Sequence, residues 1–301
     1  MAHLNQFVGR TANLCLCVQQ NSRLPYLSGV PSVEDLKYRL MGPSDQIRVL
    51  GSCGRLCIID VADEINVWDP STRQSMPLPH SAVEIRRPSA LPICVYGFGC
   101  DVRNGAFKLL RLIQLATGQR RSEVSIYNMI DQNWRRLPEI AYNLVYPDKM
   151  GVFAYGRLHL TVTPERLACS PAKLLLAFDC HTEEFEEVEL PDNIDKKRDM
   201  VVAVLDGRLC LSIDRIDMFA DVWILRVYGS QESWAWVFSI PKYDDDRIPR
   251  FVWPLACSED HHHVLVRKDN KDVVWYDLHA RYINRVDIRG MPSSFKDAYV
   301  M

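Results

Sequence analysis

The sequence predicts an all-β chain, a ring of repeated antiparallel meanders, and three observations carry that prediction. Short runs rich in Ile, Val, Leu, Cys and aromatic residues alternate with turns that contain Gly, Pro, Asp or Asn. An aromatic residue at the start of a turn recurs as Trp68-Asp69, Tyr127-Asn128, Phe178-Asp179, Trp223 and Tyr276-Asp277, in steps of 59, 51, 45 and 53 residues. No segment sustains helical periodicity over three turns.

Taken in order, residues 14–18 read as a strand. Residues 32–41 fit either a short capped helical stretch or a strand-to-strand loop. Residues 49–79 carry three apolar runs separated by two turns. The first turn spans 51–54, where glycine tolerates positive φ. The second is Asp69-Pro70-Ser71-Thr72, where Pro70 presets the φ of a type I turn. Copies follow at 95–138, 151–191, 201–241 and 263–288. Gly-Arg-Leu recurs at Gly54, Gly156 and Gly207, and a Leu-Pro or Ile-Pro step closes most copies. A repeat near ~50 residues, mostly of four strands, is the kelch-like propeller period. A lone meander cannot bury both faces, whereas stacking meanders around an axis buries them and protects the edges. Five meanders are legible. Residues 14–27 supply most of a sixth or complete the last, so six blades are favoured, closed by N- and C-terminal strands. The expectation is one domain over residues 1–301.

Composition narrows the function. Hydrophobic residues make up 48% and charged residues 25%, as in a globular chain with a real core. A net charge of -2 provides no field to draw in nucleic acid or an anionic membrane. No apolar run approaches the ~20 residues of a membrane-spanning helix. The ten cysteines sit mostly inside apolar runs and read as small buried hydrophobes of a reducing compartment, cytoplasmic and/or nuclear.

No catalytic signature stands out. Gly97-Phe98-Gly99 opens like a dinucleotide fingerprint, but position 102 is Val and no helix pattern follows. Cys15/Cys17 and Cys53/Cys57 lack a second pair at metal-finger spacing. His261-His262-His263 reads as a polar turn, since alternate strand residues face opposite ways and no further ligand lies nearby in sequence. The turn aromatics recur once per segment, which suits packing between blades better than a ligand cage. The reading is no enzyme, no cofactor and no metal. A glycan-active propeller enzyme is the alternative, and it needs convergent carboxylates. The loops least constrained by the repeat are 117–121, 163–171, 214–218 and 243–250. They supply the candidate partner-binding residues Arg120, Arg121, Arg166, Arg215, Asp244, Asp245 and Arg247.

Ordered motifs add a resemblance. Residues 49–57 with 67–73, Tyr96-Gly97-Phe98-Gly99 with Asp101, Asn133-Trp134-Arg135-Arg136, Ala177-Phe178-Asp179, residues 204–211 and Glu232-Ser233-Trp234 follow the F-box-associated domain of plant F-box proteins. The match spans roughly 45–295 and is similar to the type 1 or type 3 domain. Leu160 stands where that family usually has Trp. The resemblance implies a kelch-like propeller without catalytic residues that captures a target protein for ubiquitination. An upstream F-box would dock the Skp adaptor of a cullin ligase. No F-box is expected before Val49, where its helical spacing does not occur. Ligase partners are therefore implied only if an F-box lies upstream, and a stand-alone or decoy binder is the alternative.

Overall fold

The computed structural model describes strands 15–19, 24–28 and 34–36, then residues 47–300 except 62–63, 70–71, 73, 80–92, 115–120, 146–149, 165–171, 217, 243–250, 259, 269–271 and 286–296. The described strands form six antiparallel sheets. The first holds β1 (Cys15–Gln19), β2 (Leu24–Ser28) and β3 (Glu34–Leu36). The second runs β4 (Ile47–Cys53), β5 (Leu56–Val61), β6 (Glu64–Asp69), β7 (Gln74–Pro77). The third runs β8 (Ile93–Asp101), β9 (Ala106–Gln114), β10 (Ser122–Asn128), β11 (Asn133–Ile140). In the fourth, β12 (Tyr142–Leu144) and β13 (Val152–Ala154) both pair with β14 (Arg157–Pro164), followed by β15 (Leu174–Asp179) and β16 (Phe185–Val188). The fifth runs β17 (Met200–Leu205), β18 (Arg208–Asp214), β19 (Phe219–Leu225), β20 (Trp234–Pro241). The sixth runs β21 (Val252–Cys257), β22 (His263–Lys268), β23 (Asp272–Asp277), β24 (Ile283–Arg285). The last strand, β25 (Asp297–Val300), pairs with β1, so the first sheet is made from both ends of the chain.

The inner strands close a ring. β4 lies against β8, β8 against β13, β13 against β17, β17 against β21, β21 against β25, and β1 against β4. A parallel bridge between Gly97 and Gly151 shows that neighbouring inner strands run the same way. Burial is greatest in the middle strands of the sheets and lowest at the outer edge. β5 is buried almost throughout and β7 is exposed at every residue. That gradient explains why inner runs read as continuous apolar stretches while outer strands read as polar residues closed by Leu-Pro.

Three sequence readings change, the first being that Gly51 lies in strand β4 and not in the turn, which falls at Gly54. The run 56–69 is two strands, not one, with the reversal between Val61 and Glu64. Residues 34–36, open between helix and loop, are strand. The only helical turn among the described residues is the three-residue 3-10 turn Gln231–Ser233.

Apolar layers fill the seams between sheets. Leu50, Ile58, Phe98, Leu109 and Tyr127 join the second and third; Val95, Leu112, Leu158, Leu176 and Phe178 join the third and fourth. Leu175, Met200, Leu209 and Trp234 join the fourth and fifth; Ala203, Val222, Val264 and Tyr276 join the fifth and sixth. Each large side chain so buried contributes ~1.5–3 kcal/mol. Tyr127, Phe178 and Tyr276 pack between sheets as the repeat predicts.

The seam between the fourth and fifth sheets carries a buried histidine. His159 is fully buried, with Nδ1 3.3 Å from the Val152 carbonyl and Nε2 3.0 Å from the Tyr228 hydroxyl of the next sheet. A neutral ring protonated on Nδ1 donates to the first and accepts from the second. Burial, with a smaller push from Arg157 and against the pull of the Val152 carbonyl, drives its pKa down to about 4 from 6.5. The unfolded chain therefore takes up a proton below ~6.5 that the folded chain refuses until ~4, so stability falls as pH drops through that window. Urea midpoints should record a loss of ~3 kcal/mol across it, and His159→Gln should remove that share of the pH dependence.

Candidate functional site

Every sheet of four strands returns the chain to the end at which it started, so each sheet's second-to-third-strand turn and the connection to the next sheet share one face. The strand ends bounding all four weakly patterned loops lie there: Gln114 and Ser122, Pro164 and Leu174, Asp214 and Phe219, Pro241 and Val252. The opposite face holds the tight turns, such as Tyr155-Gly156 and Asp206-Gly207, along with the start of β1.

On the loop face of the fifth sheet lies a groove of about 400 Å³. Asn193, Ile194, Asp195 and Arg198 form one wall, Ile213, Asp214, Arg215 and Ile216 the other, and Asp221 and Trp223 complete it. Both walls are fixed by backbone and charge. The Asp214 N–H donates to the Asp199 carbonyl (2.8 Å), the Arg215 N–H donates to the Phe219 carbonyl (2.8 Å), and Lys242 Nζ donates to Asp214 Oδ1 (2.8 Å). Arg198 pairs with Asp195 at 3.3 Å. Asp221 gathers the donors: Arg215 Nη1 (3.4 Å), Trp236 Nε1 (3.4 Å) and Ser239 Oγ (2.5 Å). Ile216 is 78% exposed at the lip and Trp236 is 51% exposed beside it. The indole N–H of Trp223 is buried without an acceptor. The groove thus presents an exposed Ile and an exposed Trp beside an Arg held by a carboxylate.

A sequence profile of the F-box associated beta propeller domain matches residues 26–299. The chain belongs to that family. The F-box protein CPR1 of Arabidopsis thaliana is 29% identical over 301 residues, covering 91% of this chain and 71% of that protein. A second Arabidopsis F-box protein is 24% identical over 75% of this chain and 60% of its own length. An F-box/kelch-repeat protein of the same plant is 28% identical over 71% of this chain and 57% of its own.

In this F-box associated domain the motifs that mark the family are spent on the scaffold. The Asp or Asn after the turn aromatic accepts backbone N–H groups two or three residues on: Ile130 to Asn128 (2.9 Å), His181 to Asp179 (2.7 Å), His279 to Asp277 (2.8 Å). The Arg of Gly-Arg-Leu pairs with the same Asp, Arg55 with Asp69 at 3.3 Å and Arg157 with Asp179 at 2.9 Å. Trp134 Nε1 donates to the Pro79 carbonyl and Trp234 Nε1 to the Glu189 carbonyl (2.9 and 2.8 Å), latching each outer strand to the end of the preceding sheet. Arg136 pairs with Glu123. The groove lies outside these motifs, except for Trp223.

Of the residues singled out from the sequence, Arg215 lines the groove. Arg121 is exposed at the start of β10 on the same face. Arg120, Arg166, Asp244, Asp245 and Arg247 lie outside the described residues. Sequence reasoning missed Ile216, Asp195, Arg198 and Asp221 as groove residues, and assigned Trp223 to packing alone although it is half-exposed in the groove wall. Ile216 had a signal: an apolar residue at the tip of the otherwise polar turn Asp214-Arg215-Ile216-Asp217.

Proposed function

We propose that this chain captures a target protein on its loop face, and that it does so for ubiquitination when joined to an F-box that docks a Skp adaptor and cullin. The carrying observation is the groove around Arg215, Ile216 and Trp223, set on the face opposite the start of β1 in a domain whose relatives are F-box proteins. A segment joined ahead of β1 would leave that face free. The proposed role is binding, not catalysis. The inner strands contribute only two carboxylate residues, Asp101 at the end of β8 and Asp297 at the start of β25, and those positions lie at opposite ends of the ring. A glycosidase needs two carboxyl groups within ~5–10 Å of each other. The cytosol and/or nucleus is the matching compartment, in keeping with free thiols at seven of the ten cysteines.

The test fuses an F-box ahead of the chain in plant cells and compares ubiquitin-remnant profiles for wild type and Arg215→Glu/Ile216→Asp. A hot spot here makes capture at least ~tenfold weaker in the variant, so a defined set of ubiquitinated proteins should be lost with it. Identical profiles would place target capture elsewhere. Without the fused F-box, longer half-lives for the same proteins would identify a decoy.

A further inference from the structure

We propose that Asp206, Cys257 and His261 form a binding site for a zinc-class transition-metal cation at the seam of the fifth and sixth sheets, on the face opposite the groove. The carboxylate, thiol and imidazole ligand atoms all lie within 4.8 Å of one another, and His261 Nδ1 is 3.5 Å from Asp206 Oδ2. A tetrahedral ion with bonds of ~2.0–2.3 Å sets its ligand atoms roughly 3–4 Å apart, so small side-chain movements close the set. Asp206 and His261 are exposed, which gives the ion a path, and Cys257 is half-buried, which shelters its sulfur. The backbone presents all three. Asp206 sits in the tight turn between β17 and β18, where Leu205 pairs with Arg208. Cys257 ends β21, and the His261 N–H donates to the Ser258 carbonyl (2.9 Å), shaping the following turn. β17 and β21 lie side by side, so residues some 50 positions apart in sequence meet at one point.

The neighbouring seams show what is distinctive here. The third and fourth sheets are bracketed on this face by Lys108–Glu183 (2.7 Å) and by His181–Asp101 (3.0 Å). The fourth and fifth are bracketed by Tyr155 Oη donating to the Leu225 carbonyl (3.2 Å) and by the His159–Tyr228 contact. At the fifth–sixth seam the equivalent place holds sulfur, nitrogen and oxygen donors, a mixed set that suits zinc better than calcium or magnesium. Three protein ligands leave a fourth position for water. The bound ion would staple two blades, and because thiolate and neutral imidazole are the binding forms, affinity would fall as pH drops.

Cobalt(II) titration of the purified full chain tests the site. Wild type should take up one ion with a thiolate-to-cobalt charge-transfer band and intense tetrahedral visible bands, and zinc should displace it. Cys257→Ser should abolish the charge-transfer band. His261→Gln, in an exposed turn, should weaken binding at least ~tenfold, as loss of a direct ligand exceeds the cost of losing a supporting one. Zinc should raise the thermal midpoint of wild type by more than that of His261→Gln. Absence of the band in wild type, or a band that survives Cys257→Ser or binding unchanged in His261→Gln, would overturn the proposal.

Discussion

Replacing Glu183 by Gln is expected to destabilise the chain by ~3 kcal/mol, because it strands a buried charge. Lys108 in β9 is almost fully buried, and its ammonium donates to Glu183 Oε1 (2.7 Å) and to the Cys180 carbonyl (2.6 Å) in the turn after β15. Arg135 in β11 meets the same carboxylate, so one acid joins two strands of the third sheet to the fourth. Removing one partner of a buried pair costs more than the pair's net worth, since the survivor keeps its desolvation penalty. Pairing Glu183→Gln with Lys108→Met should therefore lose less stability than Glu183→Gln alone, as read from denaturant midpoints at neutral pH. Equal or additive losses would show that Lys108 is not held by this acid. Burial raises the Glu183 pKa, but the hydrogen bonds from Lys108 and Arg135 outweigh it and hold the carboxyl below its ordinary 4.5. With the folded pKa depressed, the contribution is whole above ~4.5 and is lost as pH falls through the folded value.

This bracket was not legible in the sequence. Lys108, in an apolar run, and Glu183, in a polar turn, are 75 residues apart, and only the seam between sheets brings them together. The local features were legible for a physical reason. The turn aromatic and its Asp act within a few residues, on hydrogen bonds that recur in four sheets, so they leave a period in the chain. The first sheet was partly legible, since its N-terminal strands show apolar runs while its pairing with β25 joins the chain ends. The reversal after Val61 was hidden because both flanking strands are buried and neither Gly nor Pro marks the turn. The candidate site divides the same way. Arg215 was found from loop composition, whereas Asp195 and Arg198 reach the groove from the connection between two sheets, which no local pattern predicts.

Gly51→Val is expected to be among the most damaging single substitutions in the second sheet, and the reason corrects the sequence reading of that glycine. Gly51 is not in a turn; it is a strand residue of β4, at a register shift opposite β5, and the turn falls at Gly54. A Cβ at position 51 would lie 2.6 Å from Phe98 Cβ and 2.9 Å from the Phe98 backbone nitrogen. Phe98 is fully buried in β8, where two inner strands meet near the axis, so neither backbone has room to retreat. Overpacking of this kind costs ~1–3 kcal/mol for Ala and more for a branched side chain. Gly54 provides the contrast. Its φ is +58°, and a Cβ there would meet nothing within 4 Å. Asn, which tolerates the left-handed region, should replace it at a cost of ~1 kcal/mol or less. Denaturant midpoints for Gly51→Ala, Gly51→Val and Gly54→Asn should order the losses as Val, then Ala, then Asn. A Gly51→Val chain as stable as Gly54→Asn would mean that β4 and β8 do not approach as closely as the ring requires.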